Sequence, residues 1–325
     1  MNAKPVLDVS HVTKYYRKRA RANVDICLQV SAGEVYGLLG HNGAGKTTLL
    51  KQVVGLAKPT SGEIRITGRD AVANPVFARR VCSMQPQTQA PLDGVTPREA
   101  IELMARIRGA TGRDARVRAA HLITALDIEA WADTKGEKLS GGVQRLTAFA
   151  MAAAQPGRLV MFDEPTNDVD PVRRRLLWAE VRALADAGCA VLLVTHNVVE
   201  AERAVDRLAI LDRGHVVIQG TPVELRGGQA HQLRLEVAAV SNAVARGLAA
   251  RFDDGRSAVA VGRRMIAPVD AADLPATLRW AQRQQQDGQI DEFSFNPVSL
   301  EDIYIRVVGQ TAGTGEEAAD AVLAT

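Results

Sequence analysis

Apolar residues recur along this chain in three rhythms, and the changes of rhythm mark its elements. Residues 6–12 and 24–30 alternate apolar with polar side chains, as strands with one buried face do. Residues 35–39, 159–162 and 190–194 are unbroken apolar runs, which predicts strands covered on both faces in a parallel sheet. Residues 63–68 read as another short strand, closed by Gly68. From 96 to about 155 the spacing becomes helical, with apolar positions on one face over 100–107 and 116–126. Thr96-Pro97-Arg98-Glu99 gives that region an N-cap, a proline at the first helical position and an acid at the capping-box position. Residues 176–187 form a crossover helix between two buried strands. The pattern predicts an α/β core within residues 1–226, with N-terminal antiparallel strands and a helical insertion over about 96–155.

After Pro222 the organisation changes. Arg226-Gly227-Gly228-Gln229 has the composition of a linker. Residues 233–237, 257–261, 265–269 and 290–295 then read as strands, while 242–251 and 274–286 have helical spacing. The order βαββαβ predicts a small α+β domain of ferredoxin-like type over 229–310. A last helix begins near Ser299, and the Ala/Gly/Glu-rich residues 311–325 read as a flexible tail. No motif in this half carries chemistry, and the chain has no internal repeat.

The chemistry is concentrated where the buried runs end. Gly40-His41-Asn42-Gly43-Ala44-Gly45-Lys46-Thr47 follows the run 35–39 and opens a helix, the setting of a phosphate-binding loop. Gly40, Gly43 and Gly45 let the backbone turn tightly, so that successive N–H groups point at phosphate oxygens, and the helix dipole adds to the cradle. Lys46 brings a positive charge to the β- and γ-phosphates, and the Thr47 hydroxyl is placed to ligate Mg²⁺. The run 159–162 ends in Asp163-Glu164. An acid at position 163 can hold Mg²⁺ through water, and Glu164 can polarise an attacking water as a general base. His196 follows the run 190–194 and reads as a contact to the γ-phosphate and that water. In Leu139-Ser140-Gly141-Gly142, Ser140 and the Gly141 and Gly142 N–H groups start a helix and make a second anion site. His41 occupies a variable loop position and is assigned no role.

Composition narrows the setting. A chain of 325 residues, 46% hydrophobic, has material for two domains with ordinary cores. Its formal charge of +3 argues neither for nor against nucleic acid, and the basic clusters 17–21 and 173–175 read as solvated surface, with contact to lipid headgroups or a membrane partner as the alternative. Cys27, Cys82 and Cys189 lie far apart without metal-ligand spacing, as reduced thiols of a cytosolic protein do. No stretch approaches the roughly 18 apolar residues of a membrane span, and the N-terminus lacks a signal-peptide core. A cytoplasmic protein is expected.

Residues 1 to about 225 resemble the nucleotide-binding domain of an ABC transporter ATPase, with the motifs of that family in order. Gly40 to Thr48 is similar to its Walker A motif, which implies nucleotide contacts from Asn42, Ala44 and Thr48 as well as the glycines. Residues 159–164 resemble Walker B, Leu139-Ser140-Gly141-Gly142 the signature, and His196 the switch histidine. The resemblance further implies that Tyr16, or the adjacent Tyr15, stacks on adenine. Gln87, rather than Gln85, falls at the Q-loop glutamine that contacts Mg²⁺ and senses the membrane subunit. Asp170 belongs to the D-loop, Thr166-Asn167-Asp168-Val169-Asp170, and takes part in the nucleotide site. Val143 stands where many members have Gln, and Asn-Asp-Val-Asp replaces the commoner Ser-Gly-Leu-Asp; neither change touches a group that contacts phosphate.

By the same resemblance, the signature serves the γ-phosphate of an opposite protomer, so ATP joins two chains, a homodimer being the simplest form. Pro297-Val298-Ser299-Leu300-Glu301-Asp302-Ile303-Tyr304 is similar to the ending of drug- and lipid-exporting members. The expected function is therefore ATP hydrolysis for a membrane exporter, peripheral on the cytoplasmic face, with a separately encoded polytopic permease and no nucleic acid as partner. The alternative, a soluble ABC ATPase that remodels a nucleic-acid or ribosomal complex, usually brings two such domains or a long coiled coil, and this chain has neither. A small-molecule kinase lacks the signature and the switch histidine.

Overall fold

A computed structural model describes residues 4–16, 21–88, 90–227, 232–252 and 258–304, and divides the chain into two units, Met1–Pro222 and Val223–Thr325. In the first unit β1 (Leu7–Tyr15), β2 (Arg21–Val30), β4 (Ser61–Ile66) and β5 (Arg69–Asp70) form an antiparallel sheet in the order β2-β1-β4-β5. The first two strands run beyond the alternating segments of the sequence. A bulge explains this: pairing shifts between Val9↔Leu28 and Val12↔Ile26, with His11 at φ 52° and Asp25 at φ 54°. The bulge interrupts the alternation without ending the strands.

The second sheet has the order β10-β9-β3-β8-β7-β6, from β3 (Val35–Leu39), β6 (Cys82–Gln85), β7 (Leu159–Asp163), β8 (Ala190–Thr195), β9 (Arg207–Asp212) and β10 (His215–Gly220). All neighbours pair parallel except β10, which is antiparallel to β9. The three unbroken apolar runs become β3, β7 and β8, each fully buried. Helix α1 (Lys46–Val53) contributes Leu49, Leu50 and Val53 to one core shared by both sheets. Helices α2 (Pro75–Val81), α6 (Pro171–Asp186) and α7 (Val198–Ala204) pack against the central sheet, α2 at β6, α6 at β8 and β3, and α7 at β3.

The helical insertion holds α3 (Pro97–Ile107), α4 (Gly112–Ala125) and α5 (Gly141–Ala153). The capping box of α3 forms as expected: Thr96 Oγ1 accepts from Glu99 N, and Glu99 Oε2 accepts from Thr96 N at 2.8 Å. Phe149 of α5 stacks on Phe162 of β7 with centroids 4.6 Å apart, which docks this helix on the sheet. Helix α6 starts five residues ahead of the periodic segment, because the Asp170 carboxylate accepts from Val172 N and Arg173 N and Pro171 takes the first helical position.

After α8 (Pro222–Arg226), the second unit follows the expected βαββαβ order: β11 (Gln232–Ala239), α9 (Asn242–Phe252), β12 (Val259–Val261), β13 (Arg264–Asp270), α10 (Leu274–Gln286) and β14 (Ile290–Pro297). The sheet order β12-β13-β11-β14 is the ferredoxin-like arrangement. Leu235, Val237, Met265, Ala267 and Ile290 face Ala245 and Leu248 of α9 in its core. The linker residue Gln229, residue Ser257 and the tail 311–325 lie outside the described residues. Among the described residues no helix is long and apolar enough to cross a membrane.

Candidate functional site

Strand register brings the motifs to one edge of the central sheet. Leu39 of β3 lies beside Thr195 of β8, and Val194 lies beside Asp163 of β7. Gln85 of β6 lies beside Phe162. The segments that leave these strands, with the glycine loop, Glu164, His196 and Gln87, therefore emerge together at the carboxyl ends of parallel strands. A cavity of about 250 Å³ opens there, lined by Ala22, Asn42, Gly43, Gly45, Lys46, Thr47, Thr48, Gln87, Asp163 and Glu164.

Gly45 shows why the loop needs its glycines. Its φ is 107°, and a Cβ there would sit 2.1 Å from the Ala22 carbonyl oxygen. As the residue before α1 it offers no side-chain cap, so the first N–H groups of that helix remain available to an anion. Lys46 is buried and its ammonium donates to the Gly40 carbonyl and, at 3.0 Å, to the His41 carbonyl. Burial holds its pKa below the ordinary lysine value, against the raising effect of Glu164 and Asp163.

The two acids are arranged differently. Thr47 Oγ1 donates to Asp163 Oδ2 at 2.7 Å, while the buried Asp163 Oδ1 has no hydrogen-bond partner among the described residues. Burial raises the Asp163 pKa above the usual carboxylate range, and the Thr47 hydrogen bond only partly opposes it. Glu164, only 2% exposed, holds a left-handed φ of 53°, unusual for a side-chain-bearing residue. Its Oε1 lies 2.9 Å from His196 Nδ1, and its Oε2 is buried without a partner among the described residues. An unpartnered buried polar atom costs about 1–3 kcal/mol. Two such oxygens on acids that line one cavity therefore mark a site built for a ligand.

The family description "ABC transporter" matches residues 24–167. The chain is 32% identical to the daunorubicin/doxorubicin resistance ATP-binding protein DrrA of Streptomyces peucetius over 344 aligned residues, which cover 98% of each chain. The chain belongs to the ABC transporter family. This ABC ATPase is also 36% identical over 222 residues to the Nod factor export ATP-binding protein I of Burkholderia orbicola (strain AU 1054), covering 68% of this chain and 72% of that one. With the phospholipid-transporting ATPase ABCA7 of Homo sapiens it shares 33% identity over 307 residues, 92% of this chain but only 14% of that protein. Among solved structures, the ATP-binding subunit of an ABC transporter matches with a TM-score of 0.64 and 28% identity, over 69% of this chain and 92% of that chain. A dimeric ATP-binding cassette in a post-hydrolysis state, bound to ADP and Pi, matches with a TM-score of 0.60 and 26% identity, over 66% of this chain and 98% of that one. The protein is thus an ATP-binding, ATP-hydrolysing subunit of the ABC type.

Not every residue expected at the ATPase site lines its cavity. Gln87 does, whereas Gln85 is buried and donates from Nε2 to the Arg145 carbonyl at 3.3 Å. Ser140, Gly141, Gly142 and Asp170 do not, nor do Gly40, Ala44 and His196, the last of which reaches the cavity through Glu164. Ser140 is the exposed N-cap of α5, accepting from Val143 N. Gly142 packs so closely that a Cβ would lie 2.5 Å from the Asp168 carbonyl oxygen. The Asp170 carboxylate caps α6 and pairs with Arg173 Nη1 at 3.0 Å, which holds its pKa below the usual range, chiefly through the Arg173 N–H. Tyr16 is 45% exposed and outside the cavity lining, with Lys14 Nζ 5.0 Å from its ring centroid.

Two residues that brace the ATPase site were not read from the sequence, and a third, His41, was assigned no role there. Arg145, 7% exposed on α5, donates from Nη1 to the Gln87 carbonyl at 2.8 Å and so ties the signature helix to the Q-loop. Asn23, fully buried on β2, donates to the Gly45 carbonyl at 3.1 Å and accepts from Gln52 Nε2 at 2.7 Å. His41 bonds the buried Asp212 at 2.9 Å across the loop. An arginine inside the Ala-rich run of α5 and a lone Asn in an alternating strand were the available signals.

The buried acid also sets a stability expectation. The folded-state pKa of Asp163 is raised, so the group favours the fold most below its unfolded value. That advantage is lost as pH rises through the folded value. At neutral pH its charge is then a net cost to the nucleotide-free fold. Asp163→Asn is expected to raise the nucleotide-free melting temperature at neutral pH. The same change should weaken MgATP binding. Thermal unfolding over a series from neutral to acid pH checks it: the gain should shrink as pH falls, and a destabilised variant at neutral pH would contradict the electrostatic reading.

Proposed function

We propose that this ABC ATPase powers a membrane exporter whose spans belong to a separate polytopic permease, and that two copies close over ATP to form each hydrolytic site. One observation carries the composite site. Ser140 to Gly142 open helix α5 with Ser140 as its cap, a place where an anion can bind, yet they lie outside the cavity lined by Lys46, Thr47 and Glu164 of the same chain. A second copy can supply them. The export reading is supported by the names of relatives concerned with drug resistance, Nod factor export and phospholipid transport. The likeness to DrrA runs through both units. A cytoplasmic location at the membrane surface follows from that role.

The cavity fits Mg²⁺ as well as nucleotide. Thr47 Oγ1, the unpartnered Asp163 Oδ1 and the amide oxygen of Gln87 make an all-oxygen donor set of the kind a hard cation prefers. Bound beside ATP, Mg²⁺ would neutralise charge on the β- and γ-phosphates. Lys46 exchanges its bonds to the Gly40 and His41 carbonyls for phosphate oxygens. The N–H groups of Gly43 to Thr48 hold the phosphates in line. His196 orients Glu164 through Oε1, which leaves Oε2 to take a proton from the water that attacks the γ-phosphorus. The β–γ bridging bond breaks, and ADP leaves with that bridging oxygen. The Asp170–Arg173 pair holds the D-loop at the start of α6 beside the signature.

Every cavity-lining residue belongs to the first unit. The second unit is read as a surface for protein contacts. A chain ending at Arg226 is expected to bind ATP with unchanged affinity and to lose dimerisation or permease-stimulated turnover. Loss of ATP binding in a soluble fragment would contradict this. Copurification from membranes with a polytopic protein tests the export reading. Recovery with a ribosomal or nucleic-acid complex instead would overturn it.

A further inference from the structure

The bulge between β1 and β2 gathers three side chains that the ATPase reaction does not use. His11 Nδ1 lies 2.8 Å from Asp25 Oδ1, and Cys27 Sγ accepts the His11 N–H at 3.2 Å. One donor atom from each of His11, Asp25 and Cys27 falls within 4.8 Å of the others. The spacing that makes no metal motif along the sequence, 11 to 25 to 27, becomes one across the ladder. Asp25 and Cys27 are two apart on β2 and share a face. The pairing shift between Val9↔Leu28 and Val12↔Ile26 adds His11 to that face.

The local backbone is specialised to this end. His11 and Asp25 both adopt left-handed φ values, 52° and 54°, inside strands. Asp25 N donates to Thr13 Oγ1 at 3.0 Å, and Gly62 passes so close that a Cβ there would lie 2.2 Å from the His11 carbonyl oxygen. The bulge is thereby held from both neighbouring strands. His11 and Asp25 are exposed and Cys27 is half-buried, so a hydrated cation reaches all three and can keep a water as its fourth ligand.

We propose that His11, Asp25 and Cys27 form a binding site for a borderline-soft divalent transition-metal ion of the Zn²⁺ class, with water completing a tetrahedral set. A thiolate, an imidazole and a carboxylate match Zn²⁺ and disfavour Mg²⁺, which prefers six oxygens. Bonds of about 2.0 Å to N and O and about 2.3 Å to S put tetrahedral donors roughly 3.3–3.6 Å apart. The donor atoms, now within 4.8 Å of one another, would reach that geometry by side-chain rotation. The ion would staple β1 to β2, whose Ala22 and Asn23 lie against the nucleotide loop.

Co²⁺ titration of the full chain, reduced and free of nucleotide, tests the site. One equivalent should bind with tetrahedral d–d bands and a thiolate-to-cobalt charge-transfer band, and Zn²⁺ should displace it. Cys27→Ser should abolish the charge-transfer band, although Cys82 and Cys189 remain. His11→Asn, chosen because Asn tolerates the left-handed backbone, should weaken Co²⁺ binding at least tenfold. MgATP affinity measured on each variant confirms that it is folded. No tetrahedral spectrum in the unmodified chain, or a charge-transfer band that survives Cys27→Ser, would overturn the proposal.

Discussion

Glu164→Gln is expected to bind MgATP with near-native affinity and to lose between about 10² and 10⁴ in turnover, the usual contribution of a positioned general base. The change keeps the shape of a side chain that is only 2% exposed and keeps an acceptor for His196 Nδ1. It removes the basic oxygen that stands unpartnered in the cavity. It also removes a buried negative charge from beside Asp163, so nucleotide phosphates should be no less welcome. Because ATP then remains intact, the variant should accumulate as an ATP-bound dimer. Single-turnover kinetics beside sizing with and without ATP checks both halves. Near-native turnover would take Glu164 out of its assigned role.

Lys46→Ala should act at the opposite step. The buried ammonium is held by the Gly40 and His41 carbonyls, and burial already depresses its pKa, so its charge is poorly screened by water. Hydrogen bonds to charged partners are worth roughly 1.5–3 kcal/mol each, and Lys46 is placed to make at least one to phosphate. Nucleotide affinity should fall by at least about tenfold, more if two bonds are lost, and turnover should fall with it. Equilibrium binding of a fluorescent ATP analogue separates this from the Glu164→Gln phenotype, in which affinity is kept.

How far the sequence could be read depended on where each residue finds its partner. Strands buried on both faces appear as unbroken apolar runs, so β3, β7 and β8 stand out, and the groups that follow them converge on one edge by strand register alone. Strand β6 does not stand out, because Ser83 and Gln85 are polar. They are buried by bonds to Gly157 and to Arg145, 74 and 60 residues away. Arg145 and Asn23 were silent for the same reason: each satisfies backbone carbonyls that only the tertiary fold brings near. The early start of α6 was legible in principle, since Asp170-Pro171 is a helix-start signal that apolar periodicity alone passes over. The signature could be recognised by its residues, but the distance between it and the cavity of its own chain is a property of the fold.

That separation is the point on which the account rests, and Ser140→Arg addresses it directly. Ser140 is exposed and caps α5 through a long 3.4 Å bond, so the loss of the cap, typically about 1 kcal/mol, should leave the chain folded. Alone, the variant should bind ATP at its own cavity and fail to hydrolyse it. Mixed with Lys46→Ala, it should regain activity, because each mixed dimer holds one site with an intact Lys46 from one chain and an intact Ser140 from the other. With random pairing half of the dimers are mixed, so recovery should approach about a quarter of the native rate. The decisive measurement is the steady-state ATPase rate of each variant alone and of the equimolar mixture. Two inactive proteins that become active together is the predicted result. Native turnover by Ser140→Arg alone, or no recovery on mixing, would contradict a site shared between two chains.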